Sequence, residues 1–479
     1  MIVKHNKNEF EDYLVDASSY EGFADELIIP ENVDEIKQIL KEATVKSHKI
    51  TISGAGTGLT GSRVPLGGKI LSMERFNRIL NFDRERKTLK VESFVRIEEI
   101  ANYLAGSGLF YPPNPTEKLS TIGGNIGNNA SGARTYKYGS TRKYINKIDV
   151  VLPTGESLTI KRGEIFANGY NFEFCTNGGT LISFELPKVQ MPKVKHAAGY
   201  YIEQNMDLID LFIGAEGTLG VVTGAELQLL DSPEEVLGAI VFFDSHDGMF
   251  DFLSEIKKTD EIISPRLIEF FDDNSIMLLR GTIPHIPKTT VYALWIEIET
   301  SKEKSDETLT NLYLFTSQFT SLVDDTWVAL NEAEHKRLAH FRHELPLAVY
   351  EKIHQYKQQK LGTDSAVPNE FVKEYYEYMV NLFKQEQLEY VIWGHIGNSH
   401  FHANILTKNE DEFRRAKDVY VDILRRAVSL GGTISAEHGI GKLKKEYLKI
   451  LYSEEIIDGF RKIKEAFDSK NVLNDGNIF

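Results

Sequence analysis

One cysteine, Cys175, stands among 479 residues. No disulfide framework can be built from it, and the chain alone cannot hold an iron–sulfur cluster, which is ligated by four Cys. Positive charge is also short: 55 Lys and Arg face 70 Asp and Glu, a formal net charge of −15. A nucleic-acid binder needs a basic face, so that class is set aside. An anionic substrate would meet repulsion here unless its site supplies local positive charge. No apolar run approaches the roughly 20 residues of a membrane span. The opening MIVKHNKNEFEDYL lacks the apolar h-region of a signal peptide. These absences predict a cytoplasmic chain without a transmembrane segment, peripheral to a membrane only through a partner. Apolar residues, by contrast, make up 42%, with 27 Phe and 21 Tyr, enough for sizeable cores. The length suits two or three domains.

The first half mixes helices and strands. NVDEIKQILKEAT places Val33, Ile36, Ile39, Leu40 and Ala43 on one helical face. KITIS reads as a strand, and RIEEIANYLAGSG as a helix closed by glycine. Residues 112–139 are rich in glycine, asparagine and serine and read as a long ordered loop, the kind that carries function. Composition shifts near DSPEEV (231–236), and the next 160 or so residues carry more charge and less glycine. There VYALWIEIET reads as a strand, and SDETLTNLYLFTSQF and EFVKEYYEYMVNLFKQ as amphipathic helices. The polar tail FDSKNVLNDGNIF returns to the style of the first half and is expected to fold back onto it.

SGAGTGLTGSRVPLGG follows the strand KITIS and sets Gly56, Gly58 and Gly61 in a G-x-G-x-x-G pattern. A Rossmann loop opens directly into a helix whose N-terminus holds the pyrophosphate. This one runs into Pro65, Gly67 and Gly68 and then the strand-like KILSM. The expectation is a backbone N–H cradle for an anion without a helix dipole. A merely flexible loop is the bland alternative.

GHIGNSHFHANIL, residues 394–406, holds three of the 13 histidines. As a strand, HFHANIL alternates, so His400, His402 and Asn404 share one face and Phe401, Ala403 and Ile405 pack the other way. The turn IGNS can bring His395 beside the polar face. SAEHGIGK adds Glu437 and His438. Two histidines and a glutamate make a sensible set for zinc or manganese with open positions. The competing reading is a strand edge of hydrogen-bonded structural histidines, of which His400 is the weakest ligand candidate. His196 in KHAAGY reads as structural.

The glycine loop, PPNPTEKLSTIGGNIGNNASG and GAEGTLGVVT, in this order and spacing, resemble the FAD-binding domain of the vanillyl-alcohol oxidase / p-cresol methylhydroxylase family. GHIGNSHFHANIL and SAEHGIGK are similar to the paired motifs of the FAD-linked oxidase C-terminal domain. The resemblance implies an α+β protein: a PCMH-type FAD-binding domain of two subdomains (1–230, joined by 440–479) and an α+β cap domain (231–439) built on an antiparallel sheet. It implies FAD held by backbone groups of Ser53, Gly54, Ala55, Gly56, Thr57, Gly58 and Leu59 at the pyrophosphate. Pro115, Thr116, Gly124, Asn128, Asn129 and Gly132 would lie near the flavin, and Gly217 and Val222 near the adenosine half. Some members attach FAD to a histidine in or near the glycine loop; the loop here contains none, so non-covalent FAD is implied. By position, His395, His402 and Glu437 match divalent-metal ligands, for zinc, with manganese or iron as alternatives. Asn404 and His438 match substrate contacts, His438 as base, and Arg342 in AHFRHELP matches the arginine that grips the substrate carboxylate. Lys360 is the nearest candidate for the family's substrate lysine.

Departures from the family pattern are specific. Ser62 and Arg63 replace small residues. Asn398 stands for aspartate, and His400 for the usual asparagine. LNDGNIF keeps Asn474, counted with the cofactor residues, but has Asn477 where lysine is common.

The implied activity is oxidation of a D-2-hydroxy acid of the lactate, glycolate or 2-hydroxyglutarate class to the 2-oxo acid, with hydride passing to flavin N5. A non-redox FAD transferase of the alkylglycerone-phosphate synthase type is an alternative; so is a non-catalytic FAD-binding subunit of a larger oxidase. No nicotinamide fingerprint or cysteine cluster is present. Electrons are expected to leave to an electron-transfer flavoprotein, an iron–sulfur subunit or a quinone, and a homodimer is the expected assembly.

Overall fold

The computed structural model describes residues 1–259 and 263–479. Its first half holds two larger sheets and, beside them, the two-stranded pairs Asn171–Cys175 with Leu181–Glu185 and Leu109–Phe110 with Leu230–Asp231. Glu26–Ile29, Lys69–Ser72 and Ile50–Ser53 run parallel in that order, with Ile2–Lys4 antiparallel at the edge. Helix Val33–Lys46 makes the crossover. Asn32 caps it by accepting from the Glu35 N–H, and the buried stripe Ile36, Ile39, Leu40 and Ala43 is the one its periodicity predicts. The second sheet is antiparallel, in the order Ile79–Asp83, Thr88–Glu92, Val221–Gln228, Ile145–Val151, Ser157–Lys161.

The glycine loop leaves Ile50–Ser53 and reaches Lys69–Ser72 with no helix between them, as its prolines and glycines require. The stretch 112–139 differs from the expected loop. It contains helices Ile122–Asn128 and Thr135–Tyr138. Thr121 caps the first by accepting from the Gly124 N–H, and Asn129 closes it in a left-handed conformation. Composition hid this helix because its glycines serve close approach: a Cβ on Gly123 would lie 2.9 Å from the Ser93 Cβ.

The second half is built on one eight-stranded antiparallel sheet. Glu235–Phe243 and Tyr292–Thr300 pair along their full length. Pro265–Phe271, Tyr390–Gly394, His400–Ile405 and Leu361–Gly362 continue the sheet, with Trp327–Ala329 at the opposite edge and Ser365–Ala366 also on His400–Ile405. Alternation decides which residues face which helices. Ile392 joins the core with Val372–Gln385, while Val391 and Trp393 join the one under Glu332–Tyr356.

The tail returns to the first half. Leu448, Phe460, Ile463, Phe467 and Ile478 lie in its core, and Leu473 bridges to Ile50. Helix Glu410–Ser429 joins the two halves: Tyr420 and Leu424 enter the first core, Ala416, Val419, Ile423 and Ala427 the second. No described helix is long and apolar enough to cross a membrane.

Candidate active site

The sheet brings the histidines together by register. Tyr390–Gly394 pairs with both Pro265–Phe271 and His400–Ile405, so Trp393 faces His402 on one side and Phe271 on the other. The turn at Ile396–Asn398, with Ser399 left-handed, reverses the chain and returns His400 and His402 beside His395. Gly394 permits it: a Cβ there would sit 2.3 Å from the His400 carbonyl oxygen. His400, His402 and Asn404 share a face as the alternation requires, and Phe401, Ala403 and Ile405 pack into the core.

His395, His400, His402 and Glu437 offer ligand atoms that lie within 4.8 Å of one another. His395 Nε2 stands 3.2 Å from the Glu437 carboxylate, and His402 Nε2 stands 3.9 Å from the same oxygen. The other ring nitrogens point outward to acceptors: His395 Nδ1 to Glu269, His402 Nδ1 to the Thr363 carbonyl at 3.4 Å. An acceptor behind each imidazole fixes its tautomer and leaves the inner nitrogen free to ligate. Two imidazoles and a carboxylate suit zinc, manganese or iron, so the residues fit a divalent ion.

Glu437 is held from the first half of the chain, by Lys195 and by the Ser131 hydroxyl at 3.0 Å. Burial would push its carboxyl up, but His395 and Lys195 outweigh it and hold it well below the ordinary range. Burial pushes His402 well down, with its histidine neighbours adding to the effect. His395 goes the other way: burial opposes, yet Glu269 and Glu437 hold it above its ordinary value.

His438 stacks on His402, ring centroids 5.4 Å apart and planes within 13°. Its Nδ1 lies 3.4 Å from Asp364, and its backbone N–H donates to the same carboxylate at 2.9 Å. Burial pushes the ring down to about 4 although Asp364 opposes, so it is neutral near pH 7. A quarter of the side chain remains open. Asp364 is fully buried and also takes the Ser435 hydroxyl at 2.7 Å and the Lys444 ammonium at 2.9 Å.

Arg342 is buried, its Nε donating to Glu269 at 3.0 Å. Arg342 Nη1 and Asn404 Oδ1 are buried with no partner among the described residues. A donor and an acceptor left open beside the cluster await a ligand. Lys360 is exposed, its ammonium 4.7 Å from the Tyr350 ring centroid, and its side chain borders Gly362 together with Asn404: a Cβ on that glycine would lie 3.7 Å from Lys360 Cε and 2.9 Å from Asn404 Oδ1.

Glu269, Lys195 and Asp364 were not foreseen. Glu269 alone had a signal: one carboxylate inside the apolar run LIEFF has to be paired if that strand is central. Lys195 and Asp364 lie in loop-like sequence with nothing to single them out.

The glycine loop runs without a helix between Ser53 and Lys69. Among the described residues, the N–H groups of residues 54–59 donate to no protein acceptor, leaving them free for an anion. The two departures next to the loop brace it. The Arg63 guanidinium lies over Gly56 and donates to the Gly54 carbonyl at 3.0 Å, and Ser62 donates to Glu216 at 2.9 Å. Asn474 accepts from the Ile52 N–H and donates to the Glu216 carbonyl, both at 2.7 Å, which seats the Gly217 turn against the strand feeding the loop. Asn477 donates to the Ser62 carbonyl at 3.0 Å and accepts from Lys442 at 2.6 Å. Gly124 is the third residue of the helix that Asn128 ends and Asn129 closes; Pro115 is half-buried, Thr116 exposed. Gly132 passes against the Asn114 carbonyl, and Val222 stands at a bulge in its strand. This cradle fits a dinucleotide pyrophosphate.

One half of the chain carries a glycine loop with free backbone N–H groups, and the other an imidazole–carboxylate cluster. Residues 24–161 match the FAD binding domain, and residues 232–478 match the C-terminal domain of FAD linked oxidases. The chain belongs to the FAD linked oxidases and is an oxidoreductase. It is 30% identical to glycolate oxidase subunit GlcD of Bacillus subtilis (strain 168), across 98% of this chain and 92% of that one. It is 27% identical to a D-lactate dehydrogenase of Anaerostipes hadrus, with the same coverage. A solved alkyldihydroxyacetonephosphate synthase shares the fold, with a TM-score of 0.67 at 18% identity over 98% of this chain and 81% of that one.

Proposed function

We propose that this chain oxidises a D-2-hydroxy acid of the lactate, glycolate or 2-hydroxyglutarate class to the 2-oxo acid and passes the electrons to an external acceptor. Residues 1–230 with 440–479 form the unit that holds FAD non-covalently, and residues 231–439 carry the substrate chemistry. His395, His402 and Glu437 hold a divalent ion. When bound, FAD accepts the two electrons the substrate loses, and the ion draws charge from its hydroxyl.

The protein's own groups do the rest. Arg342 offers its unpartnered Nη1 to the substrate carboxylate, the local positive charge this acidic chain otherwise lacks. Glu269 holds Arg342 and His395 at once, so the carboxylate grip and the ligand set share one anchor. Asn404 Oδ1 remains free to accept from the substrate. His438 takes the hydroxyl proton at Nε2, because Nδ1 faces Asp364. The Asp364 carboxylate then stabilises the imidazolium that forms. The observation that carries this reading is a buried guanidinium with its Nη1 left unpartnered, beside a histidine–carboxylate cluster with a neutral histidine on its open side.

Anaerobic mixing of the flavoprotein with a panel of D- and L-2-hydroxy acids tests it. The flavin should bleach with achiral glycolate, included in the panel, or with one or more D acids, and not with the L forms. A flavin that stays yellow with every acid sinks the reading and favours the non-redox transferase.

A further inference from the structure

We propose that His400 is a fourth protein ligand of the divalent ion, through Nδ1. The inference rests on the reading of His395, His402 and Glu437 as a metal site. It adds a donor where the family pattern has asparagine.

His400 is fully buried at the centre of the cluster. Its ring centroid lies 4.4 Å from that of His402 and 5.3 Å from that of His395. Nε2 sits 2.9 Å from Asp364 Oδ1. Asp364 also accepts from Ser435, Lys444 and the His438 N–H, so it is an ionised acceptor with no proton to give. The imidazole must therefore carry its proton on Nε2, which leaves Nδ1 as a bare lone pair. That Nδ1 is buried without a partner among the described residues. A buried acceptor with no donor is costly, and native proteins rarely keep one without use.

Asp364 stands behind His400 as Glu269 stands behind His395 and the Thr363 carbonyl behind His402. Each of the three rings has one nitrogen fixed by an outer acceptor, the arrangement that orients a metal-ligating histidine. A hydrogen-bonded structural histidine would be expected to use both nitrogens; His196 does, with Thr433 at 2.8 Å and Tyr452 at 3.1 Å.

A third imidazole has a chemical consequence. Imidazole suits zinc, iron, copper and nickel, whereas manganese prefers oxygen donors. Three histidines and one glutamate would fill a tetrahedral shell, so an open position for substrate requires five or more ligands. The site should therefore favour zinc or iron over manganese, at a coordination number above four.

X-ray absorption at the metal edge, on the unmutated holoenzyme loaded with zinc, counts imidazoles directly. Three are expected, and two overturn the proposal. His400→Asn, the family's own residue, should retain FAD and bind zinc and cobalt(II) more weakly by at least about tenfold in chelator competition. Its cobalt(II) visible spectrum should shift. Unchanged affinity and an unchanged cobalt spectrum overturn the proposal while leaving the three-ligand site intact. A wild-type protein that binds no stoichiometric metal overturns both, and that result is distinct from the two-imidazole outcome.

Discussion

Glu269→Gln removes one charge and almost no volume from the point where the proposed substrate grip and the proposed ligand set meet. The wild-type carboxylate is 1% exposed and accepts from His395 Nδ1 and from Arg342 Nε. A glutamine offers one oxygen and one NH₂ to these two donors. Only one donor can be accepted, and the other faces an N–H. If Arg342 is the one stranded, a buried cation has lost its partner, at a cost of about 3–5 kcal/mol. If His395 is stranded, its tautomer is no longer fixed, and metal affinity falls by roughly 10–100-fold, about 1.4–2.7 kcal/mol. Either way, both stability and metal retention decline, and KM for the hydroxy acid rises as Arg342 is released. Chelator competition, thermal melting and anaerobic flavin reduction separate the three effects. Glu297→Gln is the control: it breaks the buried Arg266–Glu297 pair, 2.6 Å, on the same sheet. It should cost stability and leave the metal alone. If Glu269→Gln holds zinc as tightly as Glu297→Gln, Glu269 is only a packing residue and the shared-anchor argument is wrong.

His438→Ala should keep FAD and metal while turnover falls by roughly 10²–10⁴-fold, and the rise of rate with pH, expected near 4 rather than 6.5, should vanish in stopped-flow flavin reduction. In the metal-free protein His395 titrates above its ordinary value, so the stability it adds is fully present below pH 6.5 and is lost as pH rises through the raised value. The melting temperature of chelated protein should therefore fall with pH above about 6.5, and zinc binding should release protons there, which calorimetry in buffers of different ionisation enthalpy reads directly. Asn474→Ala strands the Ile52 N–H and loses a second buried bond, costing about 1–3 kcal/mol; FAD should dissociate more readily, seen as a rise in free-flavin fluorescence.

The sequence made part of this site readable because strands have a period of two. HFHANIL as a strand could place His400, His402 and Asn404 only on one face, and the glycine turn before it was able to return His395 to that face. The glycine loop was equally legible, since Pro65, Gly67 and Gly68 forbade the helix that a Rossmann reading needs. What local pattern could not show was partnership across the chain. Glu269 meets His395 over 126 residues and Lys195 meets Glu437 over 242, and neither distance leaves a trace in spacing. The helix at Ile122–Asn128 was hidden for a different reason. Its Gly123 answers to the neighbouring Ser93 rather than to helix propensity.

Glu437 stands beside His395 and His402, yet its carboxylate is gripped by Ser131 and Lys195 from the flavin-binding half. The site is therefore a joint as well as a reaction chamber. Whatever occupies it is thermodynamically linked to the docking of one half on the other, because separating them would strip Glu437 of its outer contacts and weaken the ligand set. On the proposed metal reading, occupancy of the site and the stiffness of the seam between the halves become two readings of one equilibrium. The loaded protein should melt as a single cooperative unit, and the chelated one should lose that cooperativity first at the seam.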